Sequence, residues 1–114
     1  MLSKIHRFHG YGSIKGVYQR GNNYRGPLMT LKVSNRATNR PFRVAVVVSK
    51  KVSKSAVVRN RIRRRIYEAV RTMPDKNLPG KDMIFTVHSD SLASVEDKKL
   101  KKDVTDLIEK ALQN

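Results

Sequence analysis

From Val57 to Met73 the chain has no helix breaker, and its apolar residues keep a helical beat. At about 100° per residue, Val58, Ile62, Ile66, Ala69, Val70 and Met73 form one stripe. Asn60, Arg63, Arg64, Tyr67 and Arg71 fall opposite it, with Arg59, Arg61 and Arg65 on the flanks. A helix needs only one apolar stripe to dock on a core, so the remaining face is free to bind something. That face is almost wholly cationic. From Ser49 to Arg71 there are nine Lys or Arg residues against one acid, Glu68.

The wider charge pattern has the same polarity. Residues 1–67 hold 17 Lys or Arg and no Asp or Glu, whereas residues 68–114 hold eight basic and nine acidic residues. A net charge of +16 on 114 residues opposes compaction by self-repulsion, so a polyanionic partner is expected on one side of the fold. A general solubility device would mix both signs throughout. The length predicts one domain, spanning 1–114. There is no cysteine, which excludes disulfides, thiolate metal sites and a cysteine nucleophile. The opening MLSKIHRFHGYG lacks a signal-peptide apolar core, and no 18-residue apolar run occurs, so a cytoplasmic location is expected.

In chain order, Ser13–Arg20 predicts a short helix with Ser13 as N-cap, Gly21 at its end, and Ile14, Val17 and Tyr18 on one face. Gly26-Pro27 precedes a strand over Leu28–Val33. A polar turn, 35–41, leads to the β-branched run Phe42–Val48, a central-strand pattern. The basic helix follows a polar loop and stops at Pro74, and Asn77–Gly80 makes a turn. Met83–Val87 is a further strand. Ser94-Val95-Glu96-Asp97 resembles a capping box, after which Leu100, Val104, Leu107, Ile108 and Ala111 keep helical spacing. The predicted fold class is α+β, ordered α-β-β-α-β-α, with one sheet of three strands or slightly more covered by helices.

Six guanidinium or amide groups lie between Arg59 and Arg65: Arg59, Asn60, Arg61, Arg63, Arg64 and Arg65. Guanidinium forks suit phosphate oxygens, and an amide can reach a sugar or base edge. Lys50, Lys51 and Lys54 enter the same helix, whose N-terminal amides add to an anion-binding corner. Phe8, Tyr11, Tyr18 and Tyr24 could stack on unpaired bases or pack in a core. His6, His9 and His88 have no neighbouring ligand set and read as surface or structural histidines. No nucleophile–base pair, Gly-rich phosphate loop or Mg2+-binding carboxylate pair stands out. The residues alone describe an RNA- or DNA-binding chain, and a structural protein of ribosomal type fits them as well. A DNA recognition helix would need a preceding helix, where Val44–Val48 reads as strand.

The run Phe42-Arg43-Val44-Ala45-Val46-Val47-Val48-Ser49-Lys50-Lys51, seven further residues, and Arg59-Asn60-Arg61-Ile62-Arg63-Arg64 strongly resemble the signature of the protein subunit of bacterial ribonuclease P. Arg7, then Ile14, Val17, Tyr18 and Gly21, are similar to that family's N-terminal segment, and Gly80 with Asp82 and a strand to its third strand. The resemblance implies a fold like one domain of a small ribosomal protein, with a left-handed β-α-β crossover. It implies a catalytic RNA partner in a 1:1 complex with a monomeric protein, no DNA or membrane partner, and a precursor tRNA whose 5′ leader is removed. Mg2+ would be held mainly by the RNA, with no metal site and no catalytic residue in the protein. Lys50, Lys51, Lys54, Arg59, Asn60, Arg61, Arg63, Arg64 and Arg65 would contact the RNA. A cleft between the first helix and the sheet would hold the leader, lined by Ile14, Tyr18, Leu31, Arg43, Val44 and Val46. Ile14 stands where the family has an aromatic residue, Leu31 where many members have Tyr, and Tyr67 where a basic residue is common.

Overall fold

A computed structural model describes residues 11–35, 42–73 and 80–112. The order is α1 (Tyr11–Arg20), β1 (Asn22–Arg25), β2 (Met29–Asn35), β3 (Arg43–Val47), α2 (Ala56–Arg71), β4 (Lys81–Val87), a 3-10 turn (Asp90–Ala93) and α3 (Asp97–Leu112). The α+β class holds, with one strand more than the pattern predicts. That strand, Asn-Asn-Tyr-Arg, has no apolar alternation to mark it. It is a strand because β2 supplies antiparallel partners, Asn22 opposite Val33 through Arg25 opposite Thr30. Gly21 joins α1 to it without a linker: its N–H donates to the Val17 carbonyl at 2.7 Å. A Cβ there would sit 2.6 Å from that oxygen, so only glycine fits the turn.

The four strands lie in the order β1-β2-β4-β3. β2 is antiparallel to β1 and β4, whereas β3 is parallel to β4. A parallel pair cannot be closed by a hairpin, so the chain returns through α2. Alternation then assigns the two faces. Met29, Leu31, Val33, Val44, Val46, Met83, Phe85 and Val87 meet Ile62, Ile66, Ala69 and Val70 of α2 and Leu100, Val104, Leu107 and Ile108 of α3 in the main core. On the other face Val17 of α1 packs on Ala45 and Ile84 in a smaller cluster. The thin cover on that side leaves part of the sheet accessible, and this asymmetry positions the functional surface.

Ser55 caps α2, its hydroxyl accepting from the Val58 N–H at 3.3 Å. The Thr72 hydroxyl closes the other end by donating to the Glu68 carbonyl at 2.9 Å. Of the apolar stripe, Ile62, Ile66, Ala69, Val70 and Met73 are buried and Val58 is half-buried. Two local expectations need correction. α1 begins at Tyr11, so Ser13 lies within the helix and does not cap it. The Ser94 capping box also does not form, because the Ser94 hydroxyl donates to the Ser91 carbonyl at 3.3 Å and finishes the 3-10 turn. α3 instead starts at Asp97, with the Leu100 N–H on the Glu96 carbonyl at 3.0 Å. Phe8, His6, His9, Arg7, Pro74 and the turn residues 77–79 lie outside the described residues. Among the described residues no helix is long and apolar enough to cross a membrane.

Candidate nucleic-acid interface

The loop from β3 to α2 leaves the sheet at the carboxyl end of the parallel pair, where open α/β sheets characteristically form binding crevices. It is a shaped loop. The Ser49 carbonyl accepts from the Val52 and Ser53 N–H groups at 3.1 and 3.4 Å, and the Ser53 hydroxyl accepts from the Ser55 N–H at 3.2 Å. Lys50, Lys51 and Lys54 project from it, all exposed. They precede the N-terminus of α2, so charge and helix dipole favour an anion at the same corner.

The arginines of α2 divide by direction. Arg64 and Asn60 are exposed, and the Asn60 carbonyl oxygen accepts from Arg63. Arg59 turns back and donates to the Ser53 carbonyl at 2.9 Å, pinning the lysine loop to the helix. Arg61 donates to the Ala93 carbonyl at 2.7 Å but stays exposed. Arg65 differs from the expectation for it. Its side chain is 15% exposed, and it donates to the carbonyls of Leu92, at 2.7 Å, and Val95, and to the Asp97 carboxylate at 2.9 Å. A guanidinium committed to three acceptors inside the chain has little left for phosphate. That hydrogen bond is the main reason the Asp97 carboxyl is held below the usual carboxylate range. Tyr67 packs against the main core, and Glu68 pairs with Arg71, which lowers the Glu68 carboxyl to about 2.

The cleft beside α1 also differs in its lining. Leu31 and Val44 are 0% exposed and Val46 is 7% exposed, all within the core under α2 and α3. They face away from α1 and cannot line the cleft, because side chains one residue apart on a strand point to opposite faces. The residues that do face α1 are their neighbours. Thr30 pairs with Thr86, Lys32 with Ile84, Ala45 with Ile84 and Val47 with Thr86 across the sheet. The Tyr18 hydroxyl lies 3.0 Å from Thr86 Oγ1, and Lys32 Nζ lies 5.2 Å from the centre of the Tyr18 ring. Tyr18 remains 39% exposed. Further out, Thr30 Oγ1 is 2.7 Å from His88 Nε2, and Arg25 sits opposite Thr30 on β1.

Of the other cleft expectations, Arg43 does face this side. Its guanidinium is held bidentately by the Asp82 carboxylate, with both contacts at 2.8 Å, and that hydrogen bonding raises its pKa. The Ile14 side chain lies outside the described ones. Tyr24 pairs with Leu31 and packs against the main core rather than offering a stacking platform. Thr30, Lys32, Thr86 and His88 were not among the expected residues. The signal for the first two was present in the alternation Met29-Thr30-Leu31-Lys32-Val33-Ser34, whose polar set marks the thinly covered face.

Thr86 and Val47 lie at the carboxyl ends of β4 and β3, the end from which the lysine loop departs. The sheet face beside Tyr18 therefore ends where the lysine loop begins. Among the described residues no group of three His, Asp or Glu is placed to hold a metal ion.

The sequence profile of the family described as Ribonuclease P matches residues 2–112. The chain belongs to the ribonuclease P protein family. A ribonuclease P protein component from Chloroflexus aurantiacus is 33% identical over 110 residues, covering 96% of this chain and 80% of the relative. One from Synechococcus sp. (strain RCC307) is 40% identical over 79 residues, 60% of this chain and 62% of the relative. Among solved structures, the RNase P protein of Staphylococcus aureus superposes with a TM-score of 0.80 at 21% identity, covering 95% of this chain and 96% of that one. That of Thermotoga maritima gives 0.73 at 16% identity, covering 85% and 89%. At these identities the structural likeness establishes the fold, and the family rests on the sequence match.

Proposed function

We propose that this chain is the protein component of a cytoplasmic ribonuclease P, a single domain over 1–114 that binds a catalytic RNA and grips the 5′ leader of precursor tRNA. The observation that supports this reading is that the lysine loop leaves β3 at the strand end where Val47 pairs with Thr86. A cationic corner (Lys50, Lys51, Lys54, Asn60, Arg61, Arg64) adjoins a cleft floored by Thr30, Lys32 and Thr86 and edged by Tyr18. The corner suits a folded RNA's phosphates, which give affinity without reading sequence. The cleft offers an aromatic face, a cation and hydroxyls, which suit a single strand with unstacked bases.

The polypeptide binds and orients; the RNA cleaves. In this reading Mg2+ would be held mainly by the RNA, where it would activate the attacking water and stabilise the charge developing on the phosphodiester. The disposition of the acids supports this assignment. Asp82 is tied to Arg43, Asp97 to Arg65, and Asp103 and Asp106 pair with Lys99 and Lys102 on α3, away from the cationic corner.

A 1:1 complex is tested by mass measurement of the reconstituted particle. Contact is tested by crosslinking from a photoreactive nucleotide in the leader. Adducts are expected on Tyr18, Lys32 or Thr86, with none on Leu31, Val44 or Val46. Adducts confined to α3 would place the leader elsewhere. A structural protein of ribosomal type remains the competing assignment; it would sediment with ribosomes and leave tRNA processing unchanged.

A further inference from the structure

We propose that Arg65 is a positioning residue that fixes the cationic face of α2 relative to the leader cleft, acting through the 89–97 segment. This rests on the two-surface reading above. Arg61 and Arg65 stand one turn apart on the flank of α2 that meets the 3-10 turn and α3. Together they donate to three carbonyls of that segment, those of Leu92, Ala93 and Val95, the first and last through Arg65. Arg65 also holds Asp97 at the first residue of α3.

The segment they grip begins beside the cleft. His88, bonded to Thr30 at the cleft mouth, is followed by Ser89, whose hydroxyl accepts from the Ser91 N–H at 3.2 Å and starts the 3-10 turn. The His88 N–H is itself anchored on the Leu28 carbonyl at 2.9 Å, at the start of β2. Leu92, fully buried, fixes the turn to the core. A short chain of directional bonds therefore runs from the helix that presents Asn60 and Arg64 to the floor that presents Thr30. Loss of the Arg65 bonds would free the Leu92–Asp97 end of that segment from α2, leaving only the Arg61 bond to Ala93. A lysine could not replace it, because one ammonium lacks the planar fork that reaches acceptors on both sides.

A phosphate ligand and a positioning residue leave different marks. Losing a phosphate contact lowers the salt slope of RNA binding by about one, whereas losing a strut leaves the slope alone. Misplacing one bound element against another instead reduces the advantage of holding both. The test uses the holoenzyme reconstituted with ribonuclease P RNA at low Mg2+. The rate constant kcat/KM is compared for a precursor with a long leader and one with a single-nucleotide leader. Wild type is expected to favour the long leader. Arg65→Met is expected to lower that preference roughly tenfold, or to abolish it where it is smaller, with an unchanged salt slope. The Asp97 carboxyl, followed by NMR, is expected to rise toward its ordinary value in the variant. Leu100→Ala, a core change in α3 compared at equal distance below its melting temperature, is expected to keep the leader preference, which separates positioning from stability.

A salt slope reduced by about one in Arg65→Met would make Arg65 a phosphate ligand and overturn the proposal. An unchanged leader preference, or an equal loss in Leu100→Ala, would overturn it as well. A wild-type enzyme indifferent to leader length would overturn the cleft reading first, and the positioning role with it.

Discussion

Alanine at Lys50, Lys51 and Arg64 together is expected to weaken RNA binding roughly a thousandfold at near-physiological salt, with the salt slope falling by about two to three. All three are exposed, and among the described residues no hydrogen bond or ion pair engages their side chains. Each charge-assisted phosphate contact contributes about 1–3 kcal/mol, so a combined loss near 4 kcal/mol is the expected scale. Folding should barely respond, since exposed substitutions away from special features change stability by about 0.5 kcal/mol or less. Filter binding across a salt series, paired with a thermal melt, measures both. Unchanged affinity would mean that the RNA docks on another face. Arg59 is left out of this variant because its loss would also release the Ser53 carbonyl and loosen the lysine loop.

The second large effect separates two adjacent residues of β2. Leu31→Ala should cost about 3–4 kcal/mol of stability, on the order of 10–15 °C in melting temperature, because it opens a cavity in a fully buried site. Lys32→Ala should leave the melt nearly unchanged while weakening the grip on a leader-bearing precursor, since its ammonium lies over the Tyr18 ring in the cleft. The reverse pattern, a stable Leu31→Ala with impaired leader binding, would put Leu31 in the cleft and contradict the register of β2 with β4.

This pair also shows what the sequence could disclose. The α+β class, the basic helix and its buried stripe were legible because Ile62, Ile66, Ala69 and Val70 repeat at a period that belongs to one element alone. Which face of the sheet a strand residue takes depends on a partner helix elsewhere, and apolar strands buried on both sides hide it. Val44-Ala45-Val46-Val47 reads as uniform, yet Val44 and Val46 meet α2 and α3 while Ala45 meets Val17 of α1. The split among the arginines was hidden for a similar reason. Arg64 and Arg65 are neighbours of identical chemistry, and only the arrival of the Leu92–Val95 carbonyls distinguishes them. β1 carried no pattern at all and exists through its pairing with β2.

In the proposed division of labour the polypeptide grips and orients while RNA breaks the bond. The direct measurement is precursor tRNA cleavage at low Mg2+ by the RNA alone, by the chain freed of nucleic acid, and by both together. Only the mixture is expected to release the 5′ leader efficiently. Cleavage by the RNA-free chain, or equal turnover by the RNA with and without it, would contradict the account.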